Sequence, residues 1–98
     1  MKTRPAVVLT IKRFERRSTR VLVPMMDYKD HHDGMIFYLV LEPTKRNNID
    51  KKSTVDCLQV KSFDMARFVY KIGEITEAEV TEMSKVVSYI VGHATSTI

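Results

Sequence analysis

The segment from Thr76 to Gly92 constrains the fold most, because its pattern admits one amphipathic helix and little else. Thr76 followed by Glu79 makes a capping box, Glu77 and Glu79 place negative charge in the first turn, and Gly92 stands where a helix stops. Val80, Met83, Val87, Ile90 and Val91 recur at three- and four-residue spacing, so they form one apolar stripe that has to pack on another surface. The residues ahead of the helix must supply that surface.

Those residues read as short strands. Ala6 to Lys12 is rich in β-branched residues with Val7, Leu9 and Ile11 on one face, and Arg20 to Met26 reads as its antiparallel partner. The basic stretch RFERRST joins the two as a hairpin loop. Asp27 to Gly34 is polar and ends in Gly, so it reads as a surface loop before a third strand at Met35 to Glu42. Pro43 to Lys52 is a second loop, and Ser53 to Val60 returns as a strand. Ser62 to Phe68 reads as a short turn or a single helical turn, and Val69 to Ile75 as a last brief strand. The connections are too short for parallel crossovers, so the expected fold is α+β, one domain over residues 1–98: a small antiparallel barrel closed by the C-terminal helix. The tail from Ala94 is expected to fray.

With 98 residues and 44% hydrophobic content the chain is long enough for one modest core, and oligomerisation is a plausible source of further stability. No apolar run approaches the ~20 residues that span a bilayer, and Met1 to Thr10 lacks the layout of a signal peptide, so a cytoplasmic protein with no membrane partner is expected. The single Cys57 has no intrachain partner and reads as a buried, inert thiol. Charge is uneven. Residues 1–20 hold Lys2, Arg4, Lys12, Arg13, Arg16, Arg17 and Arg20 against Glu15 alone, a local +6 in a chain whose total is +4. Such asymmetry steers polyanions to one surface, or else is a solvated basic turn.

The order of motifs resembles the MazF/PemK toxins. The run STVDCLQVKSFDMARFVYKIGEITEAEVTEMSKVVSYIVGH, Ser53 to His93, is similar to the family's C-terminal half, in which a Gln-bearing strand leads through a basic residue and an Asp turn to K-I-G and a Glu-rich helix. Arg4-Pro5 followed by AVVLT resembles the family's Arg-Pro strand, and VLVPM its next strand. The resemblance implies an SH3-like or CcdB-like barrel, a homodimer, a cognate antitoxin and metal-independent cleavage of single-stranded RNA. Three positions depart from the pattern. Only Met1, Lys2 and Thr3 precede Arg4-Pro5, where the family normally has a strand, so an uncovered edge is expected. Met25 and Met26 stand where the family places a catalytic Thr or Ser, and Lys61 stands where it places an Arg, losing the planar fork that suits phosphate.

By this resemblance Arg4 aligns with the catalytic Arg, while Lys61 and Asp64 are candidates for phosphate binding and proton transfer; a turn-capping role is the alternative for Asp64. His31 and His32, of the residue type that titrates near neutral pH, are candidates for the missing acid or base. Arg13, Arg16, Arg17 and Arg20 are candidates for RNA phosphates, with Phe14 or Tyr28 as stacking surfaces. Neighbouring histidines project apart and no ligand-bearing helical spacing is present, so no metal or cofactor is expected. The run DYKDHHDG is similar to an epitope tag, yet lies between two strands and reads as a natural loop. Two other readings stand beside RNA cleavage: a catalytically degenerate relative that binds RNA or antitoxin, and a CcdB-like poison of a protein target such as gyrase.

Overall fold

A computed structural model of the chain describes residues 4–9 and 18–92. The expectations for Ile11 and Lys12, for Arg13, Phe14, Arg16 and Arg17, and for the tail lie outside the described residues. An antiparallel sheet of β1 (Ala6–Val8), β2 (Thr19–Asp27), β3 (Tyr38–Leu41), β4 (Ser53–Asp56) and β5 (Lys61–Asp64) precedes a helix, α1 (Glu77–Gly92). The α+β class is therefore as expected.

Strand β2 is paired on both edges. On one side Ala6 faces Pro24 and Val8 faces Leu22. On the other, β4 covers its last three residues and β5 its first four, and β4 pairs onward to β3. Met25 faces Val55 whereas Leu22 faces Lys61, so three steps along β2 are matched by six along the opposing chain. The surplus is a 3₁₀ turn, Cys57–Gln59, capped by the buried Asp56, whose carboxylate accepts from Leu58 N–H at 3.1 Å and Gln59 Nε2 at 2.8 Å. Met25 N–H donates to Pro5 O and Leu9 N–H to Val21 O, so odd residues of β2 bond to β1 and even ones point to the other edge. Pro24, with no N–H to give, falls at the interruption.

Three expectations change here. The strand read as Ser53 to Val60 ends at Asp56, because Asp56 caps a turn instead of extending the ladder. The turn read at Ser62 to Phe68 begins later: Lys61–Asp64 pairs with β2, and only then does Asp64 accept from Ala66 N–H at 2.9 Å to cap the 3₁₀ turn Met65–Arg67. Residues 69–75 make no ladder, and the strand path β1-β2-β4-β3 is open among the described residues, so the barrel does not close. The physical reason is visible around Gly73: Ile72 O and Glu74 N–H bond to the loop at Arg46–Asn48, not to a strand.

The core is Val7, Val23, Leu41, Val55, Cys57 and Met83, with Leu39, Val86, Val87 and Ile90 packed against it. The capping box forms at the start of the helix: Thr76 N–H donates to Glu79 Oε1 at 2.7 Å and Glu79 N–H to Thr76 Oγ1 at 3.1 Å. The buried stripe is rotated slightly from the expected one, gaining Val86 and leaving Val91 61% exposed. No helix among the described residues is long and apolar enough to cross a membrane. Met83→Ala is expected to cost about 2–5 kcal/mol, since Met83 is 1% exposed at the centre of this contact. Val91→Ala should stay within ~0.5 kcal/mol, and urea denaturation of both variants checks the orientation of the helix.

Candidate active site

Where β2 ends, four segments enclose an open cleft of about 710 Å³. Arg4 and Pro5 come from the entry to β1, held there because Pro5 O accepts from Met25 N–H at 3.1 Å. Met25, Met26 and Asp27 come from β2, and Lys29 and His32 from the 3₁₀ turn that follows it. The loop at Asn48–Lys51 and the segment Tyr70–Ile72 complete the lining. Arg4, Lys29, Lys51 and Lys71 face Asp27 and Asp50, four cations against two carboxylates. Asp27 is paired to Lys51 at 3.1 Å. An anion is therefore attracted to the cleft.

The Tyr70–Ile72 wall is fixed by backbone, not by a hydrophobic anchor. Asn47, 4% exposed, accepts from Thr44 N–H and Ile49 N–H through Oδ1 and donates from Nδ2 to Glu42 O, which locks the loop. Asn48 adopts φ 54°, a left-handed conformation that Asn tolerates, and its Nδ2 donates to Ile72 O at 3.2 Å. Glu74 N–H donates to Arg46 O at 2.9 Å. A Cβ on Gly73 would lie 2.3 Å from Asn47 O, so only glycine permits this approach.

The structure brings together some of the expected site residues and not others. Arg4 lines the cleft, exposed. His31 is exposed and stacks edge-on with His32, ring centroids 4.6 Å apart, while His32 is 5% exposed and borders the cleft. Lys61 and Asp64 face Leu22 and Thr19, four and seven residues along β2 from Met26. At ~3.3 Å per residue they stand roughly 13 and 23 Å along β2 from the cleft end of the strand, and neither lines the cleft with Arg4. Arg20 is 8% exposed within β2, with Nη1 donating to Thr19 O at 3.1 Å, not displayed on a hairpin. Tyr28 is engaged: its hydroxyl donates to Asp33 and its ring lies under Lys52, 4.0 Å away. Cys57 is fully buried, and desolvation, with Asp56 adding to it, pushes its thiol up, as an inert core cysteine requires. Among the described residues no group of three His, Cys, Asp or Glu side chains is placed to hold a metal ion.

Two residues escaped the sequence reading. Thr54 is fully buried on β4 opposite Met26, and its Oγ1 lies 2.7 Å from His32 Nδ1. Asn47 read as part of a polar loop. Neither carries a sequence signal, because each acts through a partner that only the folded chain brings near.

Residues 1–91 match the model of the PemK-like, MazF-like toxin of type II toxin-antitoxin system. The chain belongs to this family. A search of curated proteins finds no match. Among solved structures, a crystal structure of an Mtb toxin matches at a TM-score of 0.72 with 14% identity, over 88% of this chain and 90% of that one. Mycobacterium tuberculosis toxin MazF-mt6 matches at 0.71 with 14% identity, over 88% and 83%. At such identity the likeness is one of fold. In this toxin the cleft thus carries Arg4 and two methionines on β2, neither of which donates or accepts a proton.

Gly73→Ala should destabilise the toxin by about 1–3 kcal/mol and loosen the Tyr70 wall, because Asn47 backbone has to move; hydrogen exchange at Glu74 N–H reads the second effect. The Asp33 bond, with burial and nearby carboxylates, pushes the Tyr28 hydroxyl up to about 12 from its ordinary 10. Since the folded value is the raised one, any stability it contributes is present below pH 10 and lost as pH rises through about 12. Spectroscopic titration should show one tyrosine ionising late, and Asp33→Asn should bring it back toward 10.

Proposed function

We propose that the toxin is an endoribonuclease that cleaves single-stranded RNA in the metal-independent manner the family resemblance implies. The observation that carries the reading is Arg4, which stands in a cleft with an excess of cations, at the family's Arg-Pro position. In this reaction the 2′-hydroxyl oxygen attacks the adjacent phosphorus and loses its proton. The bond from phosphorus to the 5′ oxygen breaks, and that oxygen takes up a proton, leaving a cyclic phosphate and a free 5′-hydroxyl. Negative charge grows on the non-bridging oxygens, and an always-ionised guanidinium placed beside them stabilises it. Arg13, Arg16 and Arg17 hold flanking phosphates in this scheme, a second copy of the chain completes a homodimer, and an antitoxin segment neutralises the same basic surface.

A degenerate binder is the second reading, favoured by Met25 and Met26 on the cleft lining, where the family's hydroxyl is absent. The two separate in one assay. Arg4→Ala is expected to lower the rate of RNA cleavage about 100-fold or more with little loss of RNA affinity, as for an interaction made chiefly in the transition state. Arg16→Ala and Arg17→Ala should instead weaken binding and flatten its salt dependence. Wild-type toxin that binds RNA at every stoichiometry yet never cuts it would establish the binder instead.

A further inference from the structure

His32 is the one strongly buried ionisable ring at the cleft, and its hydrogen bonds define its tautomer. Lys29 N–H, which can only donate, points at His32 Nδ1 at 3.1 Å, so Nδ1 accepts. The Thr54 hydroxyl oxygen lies 2.7 Å from the same nitrogen. A neutral ring that accepts at Nδ1 carries its proton on Nε2. Nε2 has no partner among the described residues, and none of their buried polar side-chain atoms is left unsatisfied, so Nε2 reaches solvent. The cleft is the solvent space that His32 borders. Edge contacts with His31, Tyr28 and Tyr38, centroids 4.6, 6.1 and 4.8 Å away, hold the ring in this orientation.

We propose that His32 is a second donor to the phosphate group that Arg4 receives, a neutral imidazole locked by Lys29 N–H and Thr54 so that Nε2–H binds a phosphate oxygen. The proton on Nε2 makes the ring a hydrogen-bond donor in this state and not a base. Its catalytic meaning rests on the RNA-cleavage reading: a fixed N–H aimed at oxygens that gain charge stabilises the transition state more than the ground state. Thr54, on the strand beside Met26, is a positioning residue. It contributes a hydroxyl near the place where the family's is missing, but behind the imidazole and not against the substrate.

The test has two arms. In wild-type toxin, ¹⁵N spectra of His32 should show Nδ1 in the unprotonated range and Nε2 in the protonated range, and inorganic phosphate should shift Nε2. A proton on Nδ1, or an Nε2 signal that phosphate leaves unmoved, overturns the proposal without any variant having to fold. In the RNA assay, His32→Phe should lower kcat by about ten-fold or more with KM little changed, and His32→Gln, which keeps an N–H donor, should retain more activity. Thr54→Val should lower kcat and broaden the Nε2 signal together. If Arg4→Ala abolishes cleavage while folded His32→Phe cuts at the wild-type rate, His32 has no role and the endoribonuclease reading survives. If wild-type toxin cuts no RNA yet phosphate shifts Nε2, that reading fails and the phosphate site stands.

Discussion

Backbone pairing along both edges of β2 holds the molecule together, and the last three residues of that strand are where the cleft is assembled. Pro5 O accepts from Met25 N–H on one edge, which brings Arg4 to the cleft. Thr54 and Val55 pair on the other edge, which places the Thr54 hydroxyl behind the turn that carries His32. The two edges are not equivalent. Val21 and Met25 bond to the β1 side and Val23 faces Val7 there, while the even edge meets a chain that loops out at Cys57–Gln59 and returns as β5. Pro24 suits that gap because the missing donor has no acceptor to satisfy.

Neutral hydrogen bonds, not ion pairs, fix the second side of the cleft. The pairs Lys51–Asp27 and Lys71–Glu74 lie on the surface with both partners more than half exposed, so they add little to stability. Asn47, by contrast, is buried and satisfied by four backbone and side-chain partners, and replacing it would leave buried carbonyl and N–H groups unpaired. The family's K-I-G run therefore has a steric reason in this chain: Gly73 passes against the Asn47 carbonyl, and the cleft residues Tyr70 to Ile72 follow from that contact. Surface charge is then left to attract a ligand and not to hold the fold.

Membership of the PemK-like, MazF-like toxins gives the departures at β2 their interest. Met25 and Met26 give the strand end polarizable apolar surface and no proton-bearing group, and leave its pairing with β4 intact. Among the polar groups at the cleft, a guanidinium comes from ahead of β1 and an imidazole from just past β2, with the buried Thr54 hydroxyl of β4 behind that imidazole. The place of the imidazole at the cleft depends on the turn Asp30–His32, whose polar sequence reads as an ordinary loop.

The helix from Thr76 and the antiparallel pairing of β1 with β2 were legible in the sequence, because helical and alternating periodicities, capping residues and loop composition are local signals. So was Asp64 as a turn cap, since an Asp bonding its own backbone two residues on needs no distant partner. Strand ends, the open sheet and the grouping of site residues were not. Asp56 and Asp64 both cap turns within strand-like runs, and which residues then pair with β2 depends on contacts across 26 to 45 positions of chain. Lys61 and Asp64 lie close to the K-I-G run in sequence but far from Arg4 in space, whereas Thr54 and His32, 22 positions apart, touch. Sequence alone determined the helix and most of the strand segments, because those choices are made by each segment's own backbone and apolar spacing. Tertiary structure decided which side chains share the cleft, because that depends on register along β2, where three steps on one strand meet six on the other.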